Sequence, residues 1–288
     1  MAFYSPDAAM GQQLATALLR IEAAGHPGLG ERLAITWLRY EPAPLPPGDH
    51  PGAGSASRGA IGAGWRSGVL QDPGGLERLA YLVACERWLQ RDLLLDSAEL
   101  RGAMAAMARD GSPDAIGLVV DLLSGTTSGP SLPAERQRAW GQQRLLVNQW
   151  LASLGWPELE GCSACQKRWR DGPYGRERDW FGADGSNANR FSSDALARLL
   201  DGVISAALVS PPACQRLRSL LLRPVALEQP TGLPLWGLVD GTGLCRHGVL
   251  YGEPEGQPPF LLVVLDRGEA ADPLLPALLQ ELLFTAAA

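Results

Sequence analysis

Lysine is almost absent from this 288-residue chain. Lys167 is the single lysine, whereas there are 24 arginines. The arginine guanidinium keeps its proton at neutral pH and cannot act as a general base in place of a lysine amine. Any active site whose mechanism needs two lysine amines is therefore excluded.

Long apolar runs are also missing, since no segment approaches the roughly 18 residues of a membrane-spanning helix. The first 25 residues lack the basic stretch, apolar core and cleavage site of a signal peptide, so we expect no membrane contact and a cytoplasmic location. The formal charge of −6 and the pI near 5.2 argue against the positive field that nucleic-acid binding needs. We predict no nucleic-acid partner.

Cysteine and histidine are few, with five and three residues. A chain of this length needs no disulfide staples, so we expect mostly reduced thiols. Cys162 and Cys165 form the one Cys-x-x-Cys sequence. Zinc needs about four ligands, and only three histidines exist to complete such a set. Two ordinary loop thiols are the simpler interpretation, and a redox pair is a third alternative. We predict no metal and no cofactor.

The N-terminal part predicts a helix followed by two strands. Leu14, Leu18 and Ile21 repeat at helical spacing within residues 8–24. The segments 32–40 and 57–65 are typical of paired strands, and residues 42–58 between them are so rich in Pro and Gly that we predict a flexible surface loop.

Residues 68–224 predict an all-helical lobe. One long helix follows Asp72-Pro73 through residues 74–95, and Ser97 and Ser112 precede two more as N-caps. Further helices are expected over 133–154, 193–207 and 211–222. Residues 155–190 form a long irregular loop, which in compact proteins is usually functional or mobile.

The C-terminal part returns to strands, "LPLWGLVD", "RHGVLYGEP" and "PFLLVVLDRG", and ends in an apolar helix. This element order predicts an α/β (α+β) fold. Residues 1–67 and 225–288 would form a discontinuous lobe with an antiparallel five-stranded sheet, flanked by the N- and C-terminal helices. The helical lobe would be inserted between the two halves.

Several strings resemble those of the class A β-lactamase and penicillin-binding-protein-like serine hydrolases: "DSAELRGAMAAMARD", "VVDLLSGTTSGP", "VNQWLASLGW", "QKRWRDGPYGRER" and "NRFSSDALARLL". The resemblance covers most of the chain beyond residue 68 and implies the β-lactamase-like fold. It also implies a serine acyl-transfer site built from Ser-x-x-Lys, Ser-x-Asn and Lys-Ser/Thr-Gly.

The aligned positions do not carry that chemistry. Matching "LAYLVA" places Gly75 at the nucleophile and Arg78 at the lysine. Gly111 and Pro113 fall where the second serine and the asparagine should be, and Leu238 falls at the strand lysine. An alternative register at that strand aligns Gly241-Thr242-Gly243, which also lacks a cation.

Three residues near these positions are candidate ligand contacts, and each has a simpler interpretation. Arg78 could bind a carboxylate or a phosphate. Ser112 favours a helix cap before Pro113 at N1. Thr242 sits in a sequence typical of a hairpin turn or bulge.

Glu177 and His247 are the remaining candidates for chemistry. Glu177 could activate water as the loop acid of the family does, or it could join an ion-pair network with the flanking Arg176 and Arg178. His247 would need a serine and an acid nearby to act as a base, and a hydrogen-bonded structural role is the alternative. The segment 166–178 is either a structural loop, a small-anion site or a weak nucleic-acid contact.

These observations leave three functional hypotheses. The first is a catalytically inactive homologue, or pseudoenzyme, in which the glycines leave an open cleft that binds a small carboxylate or other anion. The second is an active hydrolase that uses residues such as Glu177 and His247 in the same cleft. The third is a structural or partner-binding protein without a ligand.

Overall fold

A computed structural model describes residues 3–41, 59–223, 235–239, 247–268 and 274–284. Within these residues one seven-stranded sheet has the order β1-β3-β2-β7-β6-β5-β4. The strands are β1 (Ser5–Pro6), β2 (Leu33–Tyr40), β3 (Ala60–Trp65), β4 (Leu222–Arg223), β5 (Leu235–Val239), β6 (Gly248–Gly252) and β7 (Phe260–Asp266). Both the N-terminal and the C-terminal residues of the chain contribute strands to this sheet.

Eleven α-helices are described in the same ranges. They are α1 (Ala8–Ala23), α2 (Leu29–Arg32), α3 (Arg78–Leu89), α4 (Ala98–Asp110), α5 (Pro113–Ser124), α6 (Ala134–Arg144), α7 (Leu146–Ser153), α8 (Gly175–Phe181), α9 (Ser193–Ile204), α10 (Pro211–Leu221) and α11 (Leu274–Leu279). A 3-10 turn spans Pro157–Leu159, and a π-helical turn, Gln280–Phe284, continues α11. We call α3 to α10 and their connections the helical lobe.

The strand number corrects the prediction of five. The two additional strands are two-residue edges, Ser5–Pro6 parallel to β3 and Leu222–Arg223 antiparallel to β5. Two residues cannot show the alternation by which a strand is recognised in a sequence. The remaining neighbours pair antiparallel, with Thr36 of β2 opposite Gly64 of β3 and Val263 of β7.

The sheet separates two hydrophobic cores. On one face, Trp37 and Leu262 pack with Leu14 of α1 and Leu278 of α11. On the other face, their sequence neighbours Leu38 and Val263 pack against the helical lobe, chiefly α9. Because β2 and β7 are covered on both faces, their sequences are almost continuously apolar.

Helix α3 is the buried centre of the helical lobe, and its bounds correct the prediction. It begins at Arg78 rather than at residue 74 because Gly74 and Gly75 have left-handed φ values of +60° and +97°. It ends at Leu89, shortly before Asp92 with φ +54°. A left-handed residue interrupts the α-helical hydrogen-bond ladder, so the apolar sequence "DLLLDS" cannot continue the helix.

Two other helical predictions also change. The helix predicted over 133–154 is two helices, α6 and α7, divided at Leu145. The predicted loop 155–190 contains the 3-10 turn and α8. The predicted loop 42–58 lies outside the described residues.

Candidate functional site

The turn before α3 is closely covered by side chains from other parts of the chain. A Cβ built on Gly74 would lie 2.3 Å from Cδ2 of His247, and one built on Gly75 would lie 3.2 Å from Nη2 of Arg168. The guanidinium of Arg168 therefore occupies the room over Gly75 that we expected the missing serine side chain to leave open.

Arg168 is held over Gly75 by carboxylates from the same turn. Its Nε donates to Oε1 of the buried Glu77 at 3.0 Å, and its Nη2 lies 3.8 Å from Oδ1 of Asp72. Burial lowers the pKa of Arg168, but the charges of Glu77 and Asp72 outweigh this effect and raise it. Arg168 therefore stays a cation at this position.

Arg78 lies at the first turn of α3 and points into the protein. It is 2% exposed, and its Nη2 donates to the carbonyl oxygen of Val239 at the end of β5. The neighbouring Leu238 is fully buried in the core. Arg78 thus links α3 to the sheet, and in this conformation its guanidinium faces the protein rather than an open cleft.

The turn between α4 and α5 is built as a pair of helix caps. Gly111 ends α4 with φ +62°, the Ser112 hydroxyl accepts from the amide of Ala115 at 3.4 Å, and Pro113 is the first residue of α5. The cap predicted for Ser112 is confirmed. Its hydroxyl oxygen serves the backbone of the next helix.

An open cleft of about 620 Å³ lies between the turn before α3 and the adjacent ends of β6 and β7. Its lining consists of Gln71, Asp72, Gly74, His247, Asp266, Arg267 and Gly268.

Nδ1 of His247 accepts from the backbone amide of Asp266 at 3.2 Å. A ring nitrogen that accepts carries no proton, so in the neutral ring Nε2 bears the hydrogen and is the donor.

Arg267 and Gln71 form the polar wall of this cleft. Arg267 is exposed, and its Nε donates to Oε1 of Gln71 at 2.8 Å. Nε2 of Gln71 is buried and has no hydrogen-bond partner among the described atoms. Asp266 is neutralised by Arg32 at 3.1 Å. The positive charge of Arg267, in contrast, has no ion-pair partner in the described part of the chain.

Glu177 lies in a separate, buried ion cluster of the helical lobe. Its Oε1 accepts from the hydroxyl of Ser128 at 2.8 Å and from Nη2 of Arg144, and it lies 3.7 Å from Nζ of Lys167. Lys167 also contacts Asp121, with Nζ 2.6 Å from Oδ2. The partners of Glu177 are therefore Arg144 and Lys167 rather than the flanking arginines.

The structure thus brings together only part of the predicted set. His247 lies against Gly74, beside Gly75 in the turn that precedes Arg78, whereas none of Ser128, Arg144 and Lys167, the partners of Glu177, lines the cleft. Glu177 has no exposed side-chain surface, so a substrate cannot reach it in this conformation. Thr242 lies outside the described residues.

Three residues of this region, Arg168, Gln71 and Arg267, were not predicted as site residues from the sequence. Arg168 was named only as part of the segment 166–178. Nothing in the sequence shows which residue of this loop lies against Gly75. Arg267 had a signal, since "DRG" places charged residues at the end of the last buried strand. Such strand ends are where functional side chains of a sheet protein collect.

The cysteines in the described part of the chain are not joined by disulfide bonds. Four are described, and all four are free thiols. Burial raises the pKa of Cys162 to about 11 and also raises that of Cys165. No cluster of metal-ligating side chains occurs within the described ranges. Nor does any helix within them have the length and apolar character to cross a membrane.

Known structures share this architecture at low sequence identity. The β-lactamase from Sphaerobacter thermophilus matches with a TM-score of 0.59 and 12% identity, over 94% of this chain and 97% of that one. PBP-A matches with a TM-score of 0.57 and 12% identity, over 98% and 97%. A class A β-lactamase from Mycobacterium abscessus matches with a TM-score of 0.59 and 14% identity, over 97% and 100%.

No family model and no curated protein matches the sequence. At identities of 12 to 14% the structural similarity shows the fold. The chain therefore has the β-lactamase-like fold that its sequence predicted.

Proposed function

We propose that this chain is a β-lactamase-like pseudoenzyme that performs no serine acyl transfer and binds a small anion without forming a covalent bond. The observation that carries the proposal is the guanidinium of Arg168 packed against Gly75, the position that aligns with the nucleophile. A hydroxyl is absent there, and a cation fills the adjoining space.

The groups that would move a proton are absent as well. Arg78 cannot give up its proton at neutral pH, and it is engaged with the Val239 carbonyl oxygen. The single lysine, Lys167, is bound to Asp121 and to the hydroxyl of Ser128 at 2.7 Å. An acyl-transfer mechanism needs a nucleophile and a base within hydrogen-bond reach of each other, and these residues supply neither.

The cleft favours an anion because its exposed wall carries a positive charge. Arg267 has no ion-pair partner in the described part of the chain, and its exposed guanidinium donates to Oε1 of Gln71 and to the carbonyl oxygen of Leu70. The Asp72 carboxylate places a negative charge in the lining, which disfavours an anion. Its Oδ1, however, accepts from the Gly74 amide and lies 3.8 Å from Nη2 of Arg168, which partly neutralises it. A small monocarboxylate or inorganic phosphate fits this balance of charge.

Two measurements test the proposal. The purified protein is incubated with a fluorescent penicillin beside an active class A β-lactamase, and a covalent adduct on this chain overturns the pseudoenzyme assignment. Thermal unfolding is then followed with acetate and with inorganic phosphate at constant ionic strength, where a saturable rise in Tm supports anion binding. A Tm that does not change with either anion refutes the proposed anion binding.

A hydrolase that works without the serine site is a second candidate, and it rests on His247 facing the cleft. Glu177 cannot be its partner because it is buried in the ion cluster. A panel of ester, amide and phosphoester substrates tests this candidate. Activity lost in His247→Ala and kept in Glu177→Gln would support it, and a panel without turnover would dismiss it.

A further inference from the structure

The buried ion cluster around Glu177 contains polar atoms that the protein does not satisfy. Four of them are Nε and Nη1 of Arg144, Oε2 of Glu177 and Oε1 of Gln137, and none has a hydrogen-bond partner among the described atoms. The side chains of Arg144 and Glu177 are both 0% exposed. Bulk solvent therefore does not reach the two charged groups.

These atoms lie in one region of the helical lobe. Gln137 and Arg144 are seven residues apart on α6, which is two helical turns and therefore the same face. Nε2 of Gln137 donates to the carbonyl oxygen of Arg176 at 2.8 Å, so its amide lies beside the residue that precedes Glu177. Arg144 contacts Glu177 directly through Nη2.

The partners already present use only one edge of each charged group. Nη2 of Arg144 serves Glu177 and Asp121, and Oε1 of Glu177 serves Arg144 and Ser128. Trp140 covers one face of the guanidinium, with its ring centre 4.7 Å from Cζ. The other edge of the guanidinium and the second carboxylate oxygen have no hydrogen-bond partner among the described atoms.

Buried polar groups in native proteins are nearly always hydrogen-bonded, either to the protein or to ordered water. Leaving a charged group partly unsatisfied in a low-dielectric interior is especially costly. Formal charges cancel between Arg144 and Lys167 on one side and Asp121 and Glu177 on the other, so an additional ion is not required. The unsatisfied atoms are donors on Arg144 and acceptors on Glu177 and Gln137, and one neutral molecule that both donates and accepts can join them.

We propose that the helical lobe holds ordered water between Arg144, Glu177 and Gln137, as an internal binding site that completes the ion cluster. The same cluster anchors Lys167, whose next residue is Arg168. Bound water in the cluster thus helps to position the loop segment that covers Gly75. The site does not depend on the function proposed for the cleft.

A crystal structure of the full chain at about 1.5 Å tests the proposal directly. We expect at least one fully occupied water within hydrogen-bond distance of both Arg144 and Glu177, in crystals grown with and without bromide. Direct pairing of the four atoms with one another, or no density between them, overturns the proposal. Anomalous density for bromide at the same place also overturns it, because the site would then hold an anion.

Solution NMR supplies an independent readout. The Hε resonance of Arg144 is assigned by its loss in Arg144→Lys, and its cross-relaxation with water is measured. A direct cross-peak of the sign given by long-lived water is expected for Arg144. Arg109 is the control, because its guanidinium and its partner Asp110 are both exposed, so the water beside them exchanges rapidly with bulk solvent. A missing cross-peak at Arg144 contradicts the proposal.

Discussion

Nη2 of Arg168 lies 3.2 Å from the place where a Cβ on Gly75 would stand. The preceding residue, Lys167, extends to Asp121 in the buried cluster, while Arg168 reaches Glu77. Two consecutive cations of one loop are therefore bound to separate carboxylates, and both bonds would have to break before the loop could leave Gly75.

The first prediction concerns the contact between Gly75 and Arg168. Gly75→Ala places a methyl group at φ +97° against the guanidinium, so it should lose about 1–3 kcal/mol from backbone strain alone. It should lose more because the guanidinium, which is bound to Glu77, must also shift by a few tenths of an ångström. The free energy of unfolding is measured in urea.

Gly172→Ala is the matched control, because Gly172 has φ +85° but a Cβ built there meets no atom within 4 Å. Gly172→Ala should therefore lose only the free energy that corresponds to backbone strain. The excess loss of Gly75→Ala should shrink when Arg168→Ala is added, since the colliding group is then removed. Equal losses for the two glycine variants would show that Arg168 does not press on Gly75.

The second prediction is a pH dependence from Asp201. Burial raises the pKa of this carboxyl, although Arg198 and the hydroxyl of Tyr40 act to lower it. The folded protein therefore holds this proton more tightly than the unfolded chain, whose Asp pKa is about 3.9. The stability that Asp201 contributes is present at low pH and is lost as the pH rises from about 4 through the folded-state pKa.

Asp201→Asn keeps an oxygen for the Tyr40 hydroxyl but cannot ionise. The difference in unfolding free energy, wild type minus Asp201→Asn, should fall as the pH rises above about 4. Asp110→Asn is the control of opposite sign, because hydrogen bonds from Arg109 lower the pKa of exposed Asp110. If the wild-type minus Asp201→Asn difference rises with pH, the raised pKa of Asp201 is refuted.

The fold could be predicted from the sequence because its elements carry strong local signals. Ser97 caps α4 through the amide of Leu100 at 3.1 Å, and the alternation of Trp37 and Leu38 between the two cores follows from strand geometry alone. The helix break at Leu145 carried no such signal. Neither Gly nor Pro stands there, and the break depends on packing that the sequence does not show.

The candidate site was less accessible to sequence reasoning. The single lysine could be counted in the sequence, so the expectation that acyl-transfer chemistry is missing needed no coordinates. The position of Arg168 over Gly75 could not be predicted, because the contact joins residues about 90 positions apart in the sequence. Arg267 and Gln71 meet across an even longer separation, and no local pattern records such a contact.

A third prediction tests the ion pair between Arg144 and Glu177. Removing one partner of a buried pair leaves an uncompensated charge, so Arg144→Met and Glu177→Leu should each cost about 3–5 kcal/mol. The double variant should lose clearly less than the sum, because it leaves neither charge alone. Arg109→Met, from an exposed pair with Asp110, should change stability far less than either buried variant. Strict additivity of the buried pair would contradict the prediction.

The fourth prediction concerns the thiols. Burial raises the pKa of Cys162 to about 11, and burial likewise raises those of Cys85, Cys165 and Cys214. Thiolates are the reactive species, so iodoacetamide at pH 7.5 should leave all four unlabelled in the native protein and label them after unfolding. Peptide mass spectrometry locates the labels. Rapid native labelling of Cys162 or Cys165 would return the Cys-x-x-Cys pair to consideration as a redox site.

The last prediction tests the proposed anion site through Arg267. Arg267→Gln removes the uncompensated charge of the cleft but keeps a polar side chain that can still reach Gln71, so the fold should be retained. The rise in Tm with inorganic phosphate should fall at least several-fold, because hydrogen bonds from a charged donor contribute about 1.5–3 kcal/mol. Arg170→Gln changes an exposed arginine that does not line the cleft and should leave the response intact. If both variants respond to phosphate as the wild type does, the anion binds elsewhere and Arg267 has no part in recognising it.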